Sequence, residues 1–125
     1  MMEVACGIDL VEVERLRSIT PAIKARFVSR VFTTQEIEDS GGRDDRLAAR
    51  FAIKEATVKA LGCGIGQVGW QDIETQLDEN GKPVLRLYGA AAQMAERMNW
   101  RSWSVSISHT RNLAAACVTA LVEKR

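Results

Sequence analysis

The feature that most limits what this chain can become is the stretch from about Asp44 to Leu61. It is rich in Ala, Arg, Lys and Glu and runs straight into Gly62-Cys63-Gly64-Ile65-Gly66. That composition predicts a long helix. Gly62 is placed to end it, because a glycine just past the last turn adopts the left-handed conformation without a Cβ penalty. Upstream, Val4 to Val13 mixes β-branched and small residues and reads as a strand running into a helix, which Glu12 to Leu16 begins. Thr20-Pro21 reads as an N-cap with proline at the first helical position of a short helix over Ala22 to Arg30. Thr33 and Glu36 stand at capping-box spacing, and Ser40-Gly41-Gly42 breaks the chain before the long helix.

Downstream, Asp72 to Asp78 alternates as a strand should. Glu79-Asn80-Gly81-Lys82-Pro83 carries the Asn-Gly hairpin signal, and Val84 to Tyr88 returns as the second strand. Gly89 to Asn99 is an alanine-rich helix. Trp103 to Ile107 and Leu113 to Val122 read as two further strands joined across His109 to Asn112. The order β-ααα-β-β-α-β-β predicts a single α+β domain over residues 1–125, with a largely antiparallel sheet and one long helix.

Composition removes several function classes. A net charge of +1 gives no global field for nucleic acid or a membrane surface. Three cysteines, Cys6, Cys63 and Cys117, with no C-x-x-C spacing argue against a disulfide framework and against a zinc site. They read as free thiols of a cytoplasmic protein. Met-Met-Glu-Val-Ala-Cys-Gly has no signal-peptide character. The longest apolar run, Leu113 to Val122, is about half of what a bilayer requires.

Five places carry possible chemistry. Asp9 lies among apolar residues in Gly7-Ile8-Asp9-Leu10-Val11, and an unpaired buried carboxylate needs a cation, a donor or water. Either it faces solvent from an edge strand, or it is a metal ligand awaiting a second carboxylate. Glu55 and Lys59 fall side by side on the long helix, next to a presumed core stripe of Leu47, Phe51, Val58 and Leu61. They read as an exposed ion pair, or as a metal ligand and a phosphate ligand one turn apart. The glycine-dense turn after the helix is neither a Walker loop nor a Rossmann fingerprint, yet it admits close backbone approach by a ligand. His109, the only histidine, ends a strand and reads either as a structural residue or as one that holds a phosphate. Ser108 beside it points to the opposite face, so the two form no nucleophile-base pair. From Arg15 to Arg30 there are five basic residues and no acidic one, either a solvated helix face or a docking surface for an acidic partner.

In order and spacing, four stretches together resemble the holo-acyl-carrier-protein synthase family, the small trimeric class of 4′-phosphopantetheinyl transferases. They are Gly7 to Glu12; Arg50-Phe51-Ala52-Ile53-Lys54-Glu55-Ala56 with Lys59-Ala60-Leu61-Gly62 and Gly64-Ile65-Gly66; Asp72-Ile73-Glu74 with Asn80-Gly81-Lys82-Pro83; and Val105 to Thr110. The resemblance implies that Asp9 and Glu55 hold Mg²⁺ and that Lys59 contacts the pyrophosphate of coenzyme A. It implies that Arg50, Gly62, Gly64, Lys82, Pro83, His109 and Thr110 line the coenzyme site, with adenine and the 3′-phosphate near His109 and Thr110. It implies a homotrimer with sites between subunits, and an acyl carrier protein docked on Arg15 and Arg26. Cys63 replaces the threonine often found between the glycines.

The implied reaction is attack by a carrier-protein serine on the β-phosphorus of coenzyme A, releasing adenosine 3′,5′-bisphosphate, in the service of fatty-acid and lipid biosynthesis. Glu55 is the preferred relay for the serine proton. The competing readings are a non-catalytic module that binds coenzyme A or a nucleotide, and an assembly protein with no ligand.

Overall fold

The computed structural model describes residues 1–64 and 66–124; Ile65, in the glycine-dense turn, lies outside them. The first strand, β1 (Met2–Glu12), leads into the single turn α1 (Glu14–Arg17). Helices α2 (Pro21–Val31), α3 (Thr34–Ser40) and α4 (Asp44–Leu61) follow. A 3₁₀ turn, Trp70–Asp72, then opens the hairpin of β2 (Ile73–Leu77) and β3 (Pro83–Leu87). Helix α5 (Gly89–Arg97) precedes β4 (Trp100–His109) and β5 (Leu113–Glu123). The expected order of elements holds except that four helices, the single-turn α1 among them, stand where three were expected between β1 and the hairpin.

All strand pairing is antiparallel. One sheet has the order β1-β5-β4 and the other is the β2-β3 hairpin. β4 starts three residues earlier than expected. Asn99, at φ 61°, turns the chain sharply after α5, so Trp100 already pairs with Val122. Pro21 opens α2 as expected, although the Thr20 side chain at its N-cap makes no capping hydrogen bond. Thr33 Oγ1 accepts from Glu36 N (3.2 Å) while Glu36 Oε1 accepts from Thr33 N (3.0 Å), a complete capping box. Gly62 closes α4 at φ 71°.

The core face of α4 is broader than the expected stripe. Ala48, Ala52, Ile53 and Ala56 are fully buried along with Leu47, Val58 and Leu61, while Phe51 is only half-buried. The helix runs through the middle of the molecule, packed on β1, β4 and β5 on one side and on α3 and β2 on another. Alanine permits that enclosure, since its small side chain lets neighbouring backbones come close. The closest approach is at Gly7 of β1. A Cβ there would lie 2.0 Å from Ala56 O and 2.8 Å from Ala60 N. Only glycine fits between this strand and this helix.

Enclosure of α4 also buries polar groups. Lys54 and Glu36, both without solvent exposure, form an ion pair at 2.7 Å. Lys54 Nζ further donates to Trp70 O (2.9 Å) and to Ile73 O, and Glu36 Oε2 accepts from Thr75 N (3.0 Å). Every ionic valence is met, which is the condition under which such a pair is tolerated in a core. The capping glutamate of α3 is therefore also the clamp that joins α3, α4 and β2.

Among the described residues, nothing covers the outer face of the three-stranded sheet. Met2, Val4, Ile8 and Leu10 of β1 and Leu113 and Leu121 of β5 are exposed there. Cys6 and Cys117 lie on the same face with their Sγ atoms 3.8 Å apart. Among the described residues, no helix is long and apolar enough to cross a membrane.

Candidate active site

Alternation along β1 turns Gly7, Asp9 and Val11 toward α4. With Gly7 against Ala56 and Ala60, the next inward residue, Asp9, meets the adjoining helix positions Glu55 and Lys59. Lys59 Nζ donates to Asp9 Oδ1 at 2.8 Å and to Ile8 O at 3.0 Å. Sequence spacing pairs Lys59 with Glu55; the fold gives it to Asp9, fifty residues away in the chain. The hydrogen bond to Asp9 raises the Lys59 ammonium above its usual pKa, helped by the Asp9 and Glu55 charges.

Glu55 completes the group. Burial pushes its carboxyl above the usual range, and the adjacent Asp9 carboxylate pushes further, against the attraction of Lys59 and Arg15. The two carboxyls thus lie side by side, with Lys59 paired to Asp9. The Asp9 side chain is only 10% exposed, and its Oδ2 is buried with no partner. An orphaned anionic oxygen beside a second carboxylate is the donor set of a hard divalent cation. Among the described residues, no three His, Cys, Asp or Glu side chains gather closely enough to hold a metal alone. Two carboxylates suit an ion that keeps waters and takes its remaining ligands from a substrate phosphate, as Mg²⁺ does.

A second group lies elsewhere on α4. Arg50 is five residues before Glu55, or about 140° around the helix at about 100° per residue. It lines a cleft of about 370 Å³ together with Pro83, His109, Arg46, Asp39 and Thr75. Burial lowers the Arg50 pKa, partly offset by Glu36 and Asp39. The chain brings together Asp9, Glu55 and Lys59, and separately Arg50, Pro83 and His109.

The remaining candidates are placed as follows. Gly62 and Gly64 lie just past Lys59 at the end of α4, where Gly64 N donates to Gln67 Oε1 at 2.9 Å. Lys82 is exposed at the tip of the β2-β3 hairpin. Thr110 shapes the β4-β5 turn, its hydroxyl accepting from Asn112 N and Leu113 N. Arg15 and Arg26 are exposed on α1 and α2, whereas Lys24 of the same basic stretch is committed to Asp44. Burial raises the Cys63 thiol, which suits a structural residue rather than a nucleophile. Sequence reasoning did not foresee that Arg46 and Thr75 line the cleft or that Glu36 and Lys54 form a buried pair. Glu36 signalled itself only as a helix cap, and Thr75 as an ordinary strand residue.

A sequence model of the 4′-phosphopantetheinyl transferase superfamily matches residues 5–118, and the chain belongs to that superfamily. Within it, the chain is 41% identical to the holo-[acyl-carrier-protein] synthase of Herpetosiphon aurantiacus, over 92% of this chain and 96% of the relative. The structure is similar to the Helicobacter pylori holo-[acyl-carrier-protein] synthase in complex with coenzyme A, with a TM-score of 0.82 and 31% identity over 92% and 98% of the two chains. It is also similar to the Bacillus anthracis holo-(acyl-carrier-protein) synthase in complex with coenzyme A (3′,5′-ADP), with a TM-score of 0.77 and 32% identity over 98% and 100%.

Proposed function

We propose that this chain transfers 4′-phosphopantetheine from coenzyme A to a serine of an apo acyl carrier protein, as a holo-acyl-carrier-protein synthase, and that it does so with Mg²⁺ held by Asp9 and Glu55. One observation carries the metal assignment: the unpartnered, buried Oδ2 of Asp9 beside the Glu55 carboxyl. A bound Mg²⁺ would neutralise charge on the diphosphate and polarise the phosphoryl group. The chain's own residues do the rest. Lys59 is half exposed, so its ammonium can serve Asp9 and a phosphate oxygen together. Glu55 is assigned the relay that passes the serine proton to water. Gly62 and Gly64 let the diphosphate approach the backbone at the end of α4. Catalysis is then positioning and electrostatics, with no enzyme nucleophile.

The placement of the candidates supports a homotrimer with shared sites. His109, Pro83 and Arg50 stand apart from the carboxylates of their own chain, and an extended coenzyme reaching both groups calls for a neighbouring copy. The uncovered apolar face of β1 and β5 supplies a surface for that copy, since exposed patches of this kind mark association sites. Arg15 and Arg26 offer the acidic carrier protein an exposed basic edge, and Arg15 acts on Glu55 electrostatically.

The decisive experiment is mass spectrometry of an apo carrier protein incubated with this protein, coenzyme A and Mg²⁺. Gain of the prosthetic arm is expected. Binding of coenzyme A without transfer would leave a non-catalytic binding module, and absence of binding would leave a plain assembly protein.

A further inference from the structure

Cys6 of β1 and Cys117 of β5 lie 111 residues apart in the chain, with their Sγ atoms 3.8 Å apart. Strand register makes the meeting. Cys6 stands opposite Thr119 and Ile8 stands opposite Cys117, so the two cysteines are diagonal neighbours on one face of the sheet. Both thiols are free; Cys6 is exposed and Cys117 is half-buried. The lack of C-x-x-C spacing excludes a zinc site built within one segment, not one that strand pairing assembles.

Converging thiols can close a disulfide or share a metal ion, and distance decides between the two. Diagonal partners in an antiparallel ladder have Cα atoms about 7–8 Å apart, whereas a disulfide asks for about 4.4–6.8 Å. A zinc ion about 2.3 Å from each of two thiolates, at the tetrahedral angle, sets the sulfurs about 3.8 Å apart. The observed separation is that of a chelate. Burial raises the Cys117 thiol, and its hydrogen bond with Cys6 raises it further. A proton thus bridges the sulfurs where a soft cation would lie, and binding of the cation expels it.

The surroundings select the ion. Val4 and Ile8 flank Cys6 along β1 and are exposed, so the seat is apolar at its sides and open above. Two thiolates and one divalent cation sum to zero charge, which such a surface accepts; a monovalent ion would leave one negative charge unbalanced. Thiolates also favour soft cations over Mg²⁺, so the pair does not compete with Asp9 and Glu55. Among the described residues, no third His, Cys, Asp or Glu joins the pair. Two of the four tetrahedral positions are left for water or for groups of a neighbouring copy. Ser106, across from Cys117 on β4, and Thr119, across from Cys6, present hydroxyls on the same face, suited to hold ligated water.

We infer that Cys6 and Cys117 form a two-thiolate chelate for a divalent cation of the zinc class on the outer face of the sheet. The seat is at the surface and keeps open positions, unlike a closed structural zinc. It lies on the face offered to a neighbouring copy and, being neutral when filled, is compatible with that contact. It stands apart from the coenzyme A reading.

The test is titration of the full chain with Cd²⁺, a spectroscopic substitute for Zn²⁺, with Mg²⁺ saturating and no coenzyme present. Thiolate-to-cadmium charge-transfer absorption in the ultraviolet reports the bond. The wild type should take up one ion per chain with that band, and Zn²⁺ should displace it. Cys6→Ser and Cys117→Ser should each weaken binding by about 100-fold or more, since each removes one arm of a two-point grip. Cys63→Ser should bind as the wild type does. A second reading uses the unaltered protein: Zn²⁺ should protect Cys6 and Cys117 together from alkylation, mapped by mass spectrometry, and leave labelling of Cys63 unchanged. A wild type without the charge-transfer band, a band that survives loss of either cysteine, or protection of only one of the two would overturn the inference. Carrier modification is measured separately, and none of these outcomes bears on it.

Discussion

Lys59 Nζ and Asp9 Oδ1 are 2.8 Å apart although fifty residues separate them, and the lysine's local neighbour Glu55 is left facing the same aspartate. The ammonium pairs with Asp9 and leaves the Glu55 carboxyl beside it as a second donor for a divalent cation. If Asp9 is a ligand of that cation, Asp9→Ala should lower kcat/KM for carrier modification by about 100-fold or more, since even indirect supports of a metal site are worth 10–100-fold. Steady-state kinetics across a Mg²⁺ titration checks this. Near wild-type turnover at limiting Mg²⁺ would remove Asp9 from the metal.

Glu55 should destabilise the metal-free protein at neutral pH. Its carboxyl pKa is raised on folding, so between the unfolded and folded values the native state holds more protons. Stability is fullest below the unfolded pKa and falls as pH rises through the folded one. Glu55→Gln keeps the protonated shape at every pH. It should melt above the wild type near pH 7 and together with it in acid. Thermal unfolding in chelator across pH measures the difference, and Mg²⁺ should raise the melting temperature of the wild type alone.

At Gly7, substitution by alanine places a methyl 2.0 Å from a main-chain oxygen of α4. Overpacking of this kind costs about 3 kcal/mol or more when the neighbour is backbone rather than a flexible side chain. Ala56→Gly should give no rescue, because the clash is with the carbonyl of residue 56 and not with its methyl. Urea unfolding of the single and double variants decides this.

The Glu36–Lys54 pair is inside the core, so removing one partner strands the other. Lys54→Met should destabilise by about 3–5 kcal/mol. The double variant Glu36→Leu, Lys54→Met should lose less than the sum of the single changes. A double-mutant cycle by denaturant unfolding reads that coupling.

On the outer sheet face, Ile8→Glu should disperse an assembly without unfolding the protomer. Ile8 is 63% exposed in the isolated chain, so the charge meets no core residue. Sedimentation should show wild-type trimers replaced by monomers whose circular dichroism is unchanged. A monomeric wild type would remove the shared-site arrangement.

Much of the fold was legible because its signals are local. The Thr33–Glu36 box, the Asn80-Gly81 hairpin and the Gly62 cap each act through neighbours within a few residues, and each appears where the sequence puts it. Asp9 was legible as a broken rule, a charge in an apolar strand. The enclosure of α4 was not, because Ala, Arg and Lys also compose an exposed helix. Burial of Lys54 depends on Glu36, eighteen residues earlier, and on carbonyls of a later turn. The choice Lys59 makes between Glu55 and Asp9 is likewise decided by packing at Gly7. Thr75 gave no sign, since a threonine in a strand is unremarked until it proves to line a cleft.

The seat of Gly7 on Ala56 and Ala60 has a bearing on how such a site is inherited. Two main chains touch there with no side chain interposed, so the gauge between the carboxylates is built into the polypeptide itself. Core residues elsewhere are free to drift in size and shape, and the two acids will still arrive at the same separation.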